Sequence, residues 1–329
     1  MKAIRIHAYG GPDVMRLEDL PTPSPEAGEV LVRIAAASVN FIDVQRRRGE
    51  LVGHAFYQRG ASGGPEFPMG IGSQGAGVVE ALGADVSGVQ VGDRVSFWGP
   101  SYATHIVLPA ARLIRIPEAI TFEQAAAGMN QGFLAYAFTH FTYPVKPGDW
   151  CLVQAAAGGL GLLICQMIKI RGGKLIGVTS SEEKARHVRE SGADEVIISR
   201  QADIAKEARR ITDGRGVNVV YDGVGKDTFE ANLDSLAPAG YLVIYGQSSG
   251  YVPPFDIMAL QEKGSLYLTR ANALPWFKEY PRYLEQLVPW LQQGRLTIRI
   301  AGTYPLAEAP AAHEAFEQRK VSGRLLLIP

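Results

Sequence analysis

The 329-residue sequence predicts an α/β fold in which a doubly wound parallel sheet accompanies a second, β-rich part. Three observations lead there. After residue 150, six short apolar runs alternate with helix-compatible stretches, the order that builds a parallel sheet with crossover helices. The first of those runs ends in a tight turn of small residues that opens into a helix. Before residue 121, strand-like runs follow one another across Gly and Pro turns with little helix between them, as in a small barrel.

Taken in order, residues 3–8 alternate as a strand and Gly10-Gly11-Pro12 makes a turn. Pro21, Pro23 and Pro25 form an extended connector, because each ring fixes φ and removes a donor. Residues 29–36 form a second strand, followed by Ser38 to Asp43 and the run Arg46-Arg47-Arg48. Residues 49–69 carry Gly and aromatic side chains with no period, so a long loop is expected, of the kind that is functional or disordered. Strands return at 75–83, 91–95 and 104–108, and residues 123–141 are helix-like. The six parallel strands are expected at 151–155, 174–179, 195–198, 217–221, 241–245 and 265–269. A helix at 276–293, a strand at 298–301, a short helix at 308–319 and a strand at 324–328 close the chain and return to the first part.

The small-residue turn is Ala155-Ala156-Ala157-Gly158-Gly159-Leu160-Gly161. Strand, glycine turn, helix and a second strand within about 30 residues make a βαβ unit of the dinucleotide-binding kind. There the glycines let backbone approach a pyrophosphate, and the helix N-terminus meets its charge. Ala156 stands where the first glycine of Gly-x-Gly-x-x-Gly belongs, and alanine is tolerated there if its φ is negative. The second strand runs out into Thr179-Ser180-Ser181, with Lys184 and Arg186 after it and no acid for a ribose hydroxyl. Two hydroxyls and a cation suit a 2′-phosphate, hence NADP(H) over NAD(H). Glu182 and Glu183 are expected in the first turn of the next helix, where its dipole favours acids.

Composition narrows the function classes. Lys plus Arg and Asp plus Glu are each 33, so no overall charge attracts nucleic acid or a membrane surface. The first twenty residues are charged throughout and no run reaches the roughly 18 apolar residues of a membrane span, so a cytoplasmic protein is expected. The two cysteines, Cys151 and Cys165, read as small core residues, and the six histidines, His54 and His105 among them, show no ligand spacing. No metal is expected.

The segments 155–161, 219–225 (Val-Val-Tyr-Asp-Gly-Val-Gly), 245–250 (Tyr-Gly-Gln-Ser-Ser-Gly), 263–267 (Lys-Gly-Ser-Leu-Tyr) and 40–43 (Asn-Phe-Ile-Asp) together carry a family likeness. Over its whole length the chain resembles the zinc-free quinone oxidoreductases of the medium-chain dehydrogenase/reductase superfamily, alongside ζ-crystallin. The resemblance implies a GroES-like catalytic domain (1–123 plus 272–329), a Rossmann domain inserted into it (124–271), NADPH in the cleft between them, and a homodimer. It places Phe41, Ile42 and Asp43 beside the nicotinamide, and Gly158, Gly159, Leu160 and Gly161 on the pyrophosphate. Ser180, Ser181 and Lys184 would take the adenosine phosphate. Gly223, Gly246, Gln247, Ser248, Ser249, Ala271 and Asn272 would line the ribose and nicotinamide, with Gln131 also on the cofactor and Arg324 where the family has a C-terminal lysine.

Several positions depart from the family. Ser199 stands for a tyrosine near the adenosine, Leu134 for a threonine near the carboxamide, Gln45 for a tyrosine in the substrate cleft and Gln74 for a glutamate. The 49–69 loop is also longer. Hydride transfer needs an electrophilic carbon held against the nicotinamide, which the cofactor supplies and the protein orients. Without a metal to polarise a simple carbonyl, a quinone or an α,β-unsaturated carbonyl is the expected acceptor. Asn40 fits two roles equally, as a group orienting the substrate or as a cap on the next helix. Tyr57 is a candidate proton donor from its loop, with solvent as the alternative. Arg46-Arg47-Arg48 reads either as a solvated face or as a clamp for a substrate phosphate. Three functions stay open: NADPH-dependent quinone reduction, reduction of enoyl or haloacrylate-like compounds (favoured by Gln45 and the long loop), and an NADPH-binding structural or RNA-contacting role, against which the neutral charge counts.

Overall fold

The computed structural model describes residues 1–51, 66–319 and 321–329. The first leg of the chain runs β1 (Lys2–Ile6), β2 (Met15–Asp19), β3 (Glu29–Val39), α1 (Phe41–Arg48), β4 (Met69–Gly70), β5 (Gln74–Leu82), β6 (Arg94–Trp98), β7 (His105–Pro109) and β8 (Ile114–Arg115). The middle leg is α2 (Asn130–Ala137), β9 (Trp150–Val153), α3 (Gly159–Ile170), β10 (Lys174–Thr179), α4 (Glu182–Glu190), β11 (Glu195–Ile198), α5 (Ile204–Ile211), β12 (Val217–Asp222), α6 (Phe229–Ser235), β13 (Leu236–Ile244), β14 (Tyr267–Arg270) and α7 (Tyr280–Gln292). The last leg is β15 (Ile300–Pro305), α8 (Ala309–Glu317) and β16 (Arg324–Ile328). Two compact units result, one of residues 1–130 with 298–329 and one of residues 131–297.

In the first unit, β3 is the spine. It pairs with β5 along one side, and along the other with β7 at its start and β16 at its end. Its register against β5 shifts between Ile34 and Ala36, so one extra residue bends the strand and re-aims its last turn. That bend delivers the chain to Asn40 and α1. The strands meet so closely beside it that a Cβ on Gly77 would lie 2.1 Å from the Arg33 carbonyl oxygen. Ile4, Ile6, Val39, Tyr102, Leu325 and Leu327 form one buried cluster here, and Val30, Val32, Ile34, Val95 and Phe97 belong to a second.

The second unit is an all-parallel sheet in the order β11-β10-β9-β12-β13-β14. The chain starts at the centre, winds one way through β10 and β11, and returns to wind the other way from β12. This is the doubly wound arrangement, and its switch point lies between β9 and β12. Leu152, Ile176, Val220 and Leu242 bury the sheet against its helices.

Residues 272–297 were expected with the first part of the chain, and contact places them in the second unit. The reason is aromatic packing: Phe133 of α2 lies 4.5 Å from Tyr280 in a tilted pair, and Tyr136 lies 5.4 Å from Tyr283, both on α7. The helix-like stretch 123–141 contains two wide π-helical turns, Ala125–Met129 and Phe138–Thr142, on either side of α2. Most of the expected 49–69 loop, with Tyr57 and His54, lies outside the described residues.

Replacing Gly77 by alanine should force β3 and β5 apart at the bend. Chemical denaturation should show a loss of about 1–3 kcal/mol through a lower midpoint.

Candidate functional site

Apart from Gln131 and Leu134, every candidate in the second unit sits just past the C-terminal end of a strand of one sheet. Gly158 to Gly161 follow β9, Ser180 to Lys184 follow β10 and Ser199 follows β11. Gly223 follows β12, Gly246 to Ser249 follow β13, and Ala271 and Asn272 follow β14. Ligands of open α/β sheets bind outside this edge, at the switch point.

The β9 turn shows what each small residue does. Ala155 takes a left-handed conformation (φ 49°), which costs a residue with a Cβ roughly 1–2 kcal/mol. Ala156, in the first-glycine position, is not among the positive-φ residues, so alanine fits there. Gly158 is exposed at the N-cap of α3, with no side chain capping the first turn. The backbone N–H groups of that turn therefore lack intrahelical acceptors and suit an anion. Gly161 faces inward, where a Cβ would meet the Ala155 and Ala156 carbonyl oxygens at 2.5 and 2.8 Å. Helix and turn can pack this closely only if that residue is glycine.

Past β10, Ser181 caps α4 by accepting the Lys184 N–H at 3.5 Å, which leaves its own hydroxyl proton able to donate. Glu182 and Glu183 occupy the first turn of α4, as expected, and Glu182 pairs with Arg189. Lys184 is half-buried one turn into α4. Ser199 is exposed and donates to the Thr179 carbonyl at 3.2 Å.

Two loops past β12 and β13 clasp each other. Gly223 would put a Cβ 2.7 Å from the Tyr245 ring, and Gly246 would put one 2.7 Å from the Gly223 carbonyl. Ser249 accepts the Asp227 N–H at 3.0 Å and donates to the Val224 carbonyl at 2.8 Å, so its hydroxyl ties the loops together. Asp222 is buried beneath them and was not singled out from sequence. Its carboxylate accepts from Val224 N at 2.8 Å, Gly225 N at 3.0 Å and the Thr228 hydroxyl at 3.1 Å. Its signal was an acid ending an apolar strand just before Gly-x-Gly. Gln247 and Ser248 are half-buried in the β13 loop; Ala271 donates to the Ile244 carbonyl at 2.8 Å, and the exposed Asn272 accepts the Leu274 N–H at 3.0 Å. Gln131 and Leu134 are half-buried on α2.

In the first unit, the bend of β3 sets Asn40 at the N-cap of α1, followed by the half-buried Phe41 and Ile42. Asn40 is buried within one hydrogen-bond network. Its N–H donates to Asp43 at 2.9 Å, its amide donates to the Ser73 hydroxyl at 3.0 Å, and its Oδ1 accepts from Arg324 at 2.6 Å. Burial raises the Asp43 carboxyl to about 6, against the pull of the Asn40 N–H, the Ser73 hydroxyl, the Arg46 charge and the Tyr102 hydroxyl. Gln45 is buried on α1. Gln74 donates its amide to the Ala126 carbonyl at 3.0 Å, a bond that a glutamate carboxylate could not give.

The three arginines of the run have different surroundings, and only Arg48 is exposed. Arg46 donates to the Gly72 carbonyl, the fully buried Arg47 bonds Glu317 and His313, and Arg48 reaches Glu317 at 2.5 Å. Ser73, Tyr102 and His313 are parts of this site that sequence reading passed over, because nothing local marks them.

Among the described residues no three His, Cys, Asp or Glu side chains gather to hold a metal ion. The chain matches the family model of the alcohol dehydrogenase GroES-like domain over residues 26–118, and that of the zinc-binding dehydrogenase over residues 159–288. It is 40% identical to a quinone oxidoreductase of Pseudomonas aeruginosa, across 100% of this chain and 99% of the relative. A 2-haloacrylate reductase of a Burkholderia species is 36% identical, across 98% of each. The solved structure of Escherichia coli quinone oxidoreductase complexed with NADPH superposes with a TM-score of 0.92 at 35% identity, each chain covered in full.

Replacing Asp222 by alanine should orphan two backbone N–H groups, while the Thr228 hydroxyl keeps the Gly225 carbonyl as an acceptor. A stability loss of about 2–4 kcal/mol is expected, read as a lower thermal midpoint, and asparagine should recover part of it.

Proposed function

The chain belongs to the quinone oxidoreductase family of the medium-chain dehydrogenase/reductase superfamily, and from that premise we propose that it reduces a quinone with NADPH. The observation that carries the cofactor half is the β9 turn. Its exposed Gly158 and uncapped α3 N-terminus suit a pyrophosphate, and Gly161 permits the close packing behind it. Ser180, Ser181 and Lys184, past β10 where an NAD site has an acid, would hold the 2′-phosphate. Bound there, NADPH supplies the hydride.

The remaining work is orientation. In this reading Phe41, Ile42 and Asp43 face the nicotinamide, and the Asn40–Arg324 pair orients the acceptor oxygen. A quinone accepts hydride at a conjugated carbon and leaves an anion that water can protonate, so no dedicated acid is required. Tyr57 keeps its place as a candidate donor. A second reading, reduction of an α,β-unsaturated acid or carbonyl, is favoured by the 2-haloacrylate reductase among the relatives. It differs in the acceptor alone. The equal counts of acidic and basic residues argue against an RNA-contacting role.

We assign two copies to the working protein. Strand β14 is the edge of its sheet, and Tyr267 on it is 53% exposed. An apolar sheet edge of this kind recruits a second strand, and another copy of the chain supplies one. No helix among the described residues is long and apolar enough to cross a membrane. A reducing cytoplasm suits the two buried free cysteines.

Two measurements check this reading. NADPH oxidation with 1,4-benzoquinone and 9,10-phenanthrenequinone should outpace that with 2-chloroacrylate or crotonyl compounds; the reverse order would establish the second reading. Lys184→Ala should weaken NADPH binding about tenfold, near 1.4 kcal/mol, and leave NADH binding little changed. Equal losses for both would place the phosphate elsewhere.

A further inference from the structure

A buried chain of hydrogen bonds in the first unit is not used by the reaction as described, and its direction is fixed at one end. The Arg47 guanidinium has only donors, so His313 Nδ1, 3.3 Å away, is the acceptor. Burial and the Arg47 charge hold the imidazole neutral by lowering its pKa to about 3. Its single proton is therefore on Nε2, which donates to the Tyr102 oxygen at 2.9 Å. Tyr102 must then turn its own proton to Asp43 Oδ2, at 3.3 Å, the oxygen that also accepts the Asn40 N–H. Arg47 is itself anchored by Glu317, which Arg48 grips from the other side. Residues far apart in sequence thus converge on one carboxylate with every donor pointing the same way.

We propose that Arg47, His313 and Tyr102 are a positioning chain for the reaction: they hold Asp43 as a carboxylate, and that carboxylate fixes Asn40 and the first turn of α1. The inference rests on the quinone-reductase reading, since it gives that turn its task. None of the three touches a reacting atom; each acts through Asp43. Among the described residues, Arg46 on the same helix and Ser73 ahead of β5 also face this carboxylate, and Arg324 on β16 acts through Asn40. A neutral carboxylic acid is a poorer acceptor than a carboxylate. Protonation of Asp43 therefore loosens the Asn40 N–H bond and the turn with it.

The sign follows from the balance around Asp43. Burial favours its neutral form and the donors favour its charged form, with the titration at about 6. Removing the Tyr102 donor lets burial win further, so the titration must move up. The test is kcat/KM for 1,4-benzoquinone with saturating NADPH between pH 5 and 9, in the wild type, Tyr102→Phe and His313→Gln. Alongside it, the Asp43 carboxyl carbon is titrated by carbon-13 NMR, assigned through Asp43→Asn.

Tyr102→Phe should move the acid limb of kcat/KM and the Asp43 titration upward together, by about one unit of pH. Activity should recover at alkaline pH. Glutamine at 313 keeps an acceptor for Arg47 and a donor for Tyr102 but cannot titrate, so there the limb should stay in place. A fall in rate equal at every pH, or an Asp43 titration that does not move in Tyr102→Phe, overturns the proposal. A limb that shifts in His313→Gln would make His313 the titrating group and overturn it too. If the wild type reduces no quinone at any pH, the functional reading falls, and the carboxyl titration alone then decides the chain.

Discussion

The second unit is arranged around one steric fact: helix α3 sits so close to the turn after β9 that no Cβ fits at Gly161. That contact seats the helix directly on the turn, and a helix seated there aims its uncapped N–H groups outward past the end of the sheet. The cost is accepted at the start of the turn, where Ala155 holds a left-handed conformation. A strained residue with a Cβ persists only where its surroundings over-determine it. Here β12 and β10 flank β9, with Gln154 N–H bonded to Tyr221 O and Ala156 N–H to Val178 O. The turn is thus fixed from both sides before any ligand arrives.

The order of chain elements made this unit legible from sequence. Each of the six parallel strands is a short apolar run with a polar or small-residue stop, and each stop marks the edge where ligands bind. Gly158, Ser181 and Gly223 could be placed because a strand end, a helix start and a small residue coincide within a few positions. Glu182 and Glu183 were read correctly as first-turn acids for the same local reason. What no local pattern announces is the packing of residues 272–297. That depends on Phe133 and Tyr136 finding Tyr280 and Tyr283 nearly 150 residues away, a match of ring faces that no periodicity announces.

The first unit is harder to read because its site is assembled from single residues. Asn40, Ser73, Tyr102, His313 and Arg324 come from five separate stretches and carry no motif between them. The three arginines at 46–48 look alike in sequence, yet their fates diverge with helical rotation. Arg47 points into the core and is wholly buried, while Arg48 stays at the surface and shares Glu317 with it. A charged residue is buried at this depth only with partners already in place. The partners, on α8, arrive from the far end of the chain.

That dependence ties the two ends of the sequence to the start of α1. Strand β16 pairs antiparallel with the last residues of β3, and its first residue, Arg324, reaches Asn40 at 2.6 Å. Helix α8, just before it, supplies His313 and Glu317 to the opposite side of α1. Helix α1 is therefore held at its start through Asn40 and at its end through Arg47 and Arg48 by the last thirty or so residues of the chain. A bend in β3 could bring Asn40 to this place, but it could not orient it, because a bulge sets the path of the backbone and leaves the side chain free to rotate. Orientation needs donors and acceptors of fixed direction, and arginine is the one side chain here that can only donate. Placing one arginine at each side of the turn, Arg324 on Asn40 and Arg47 behind His313, removes the freedom of every hydroxyl and imidazole between them.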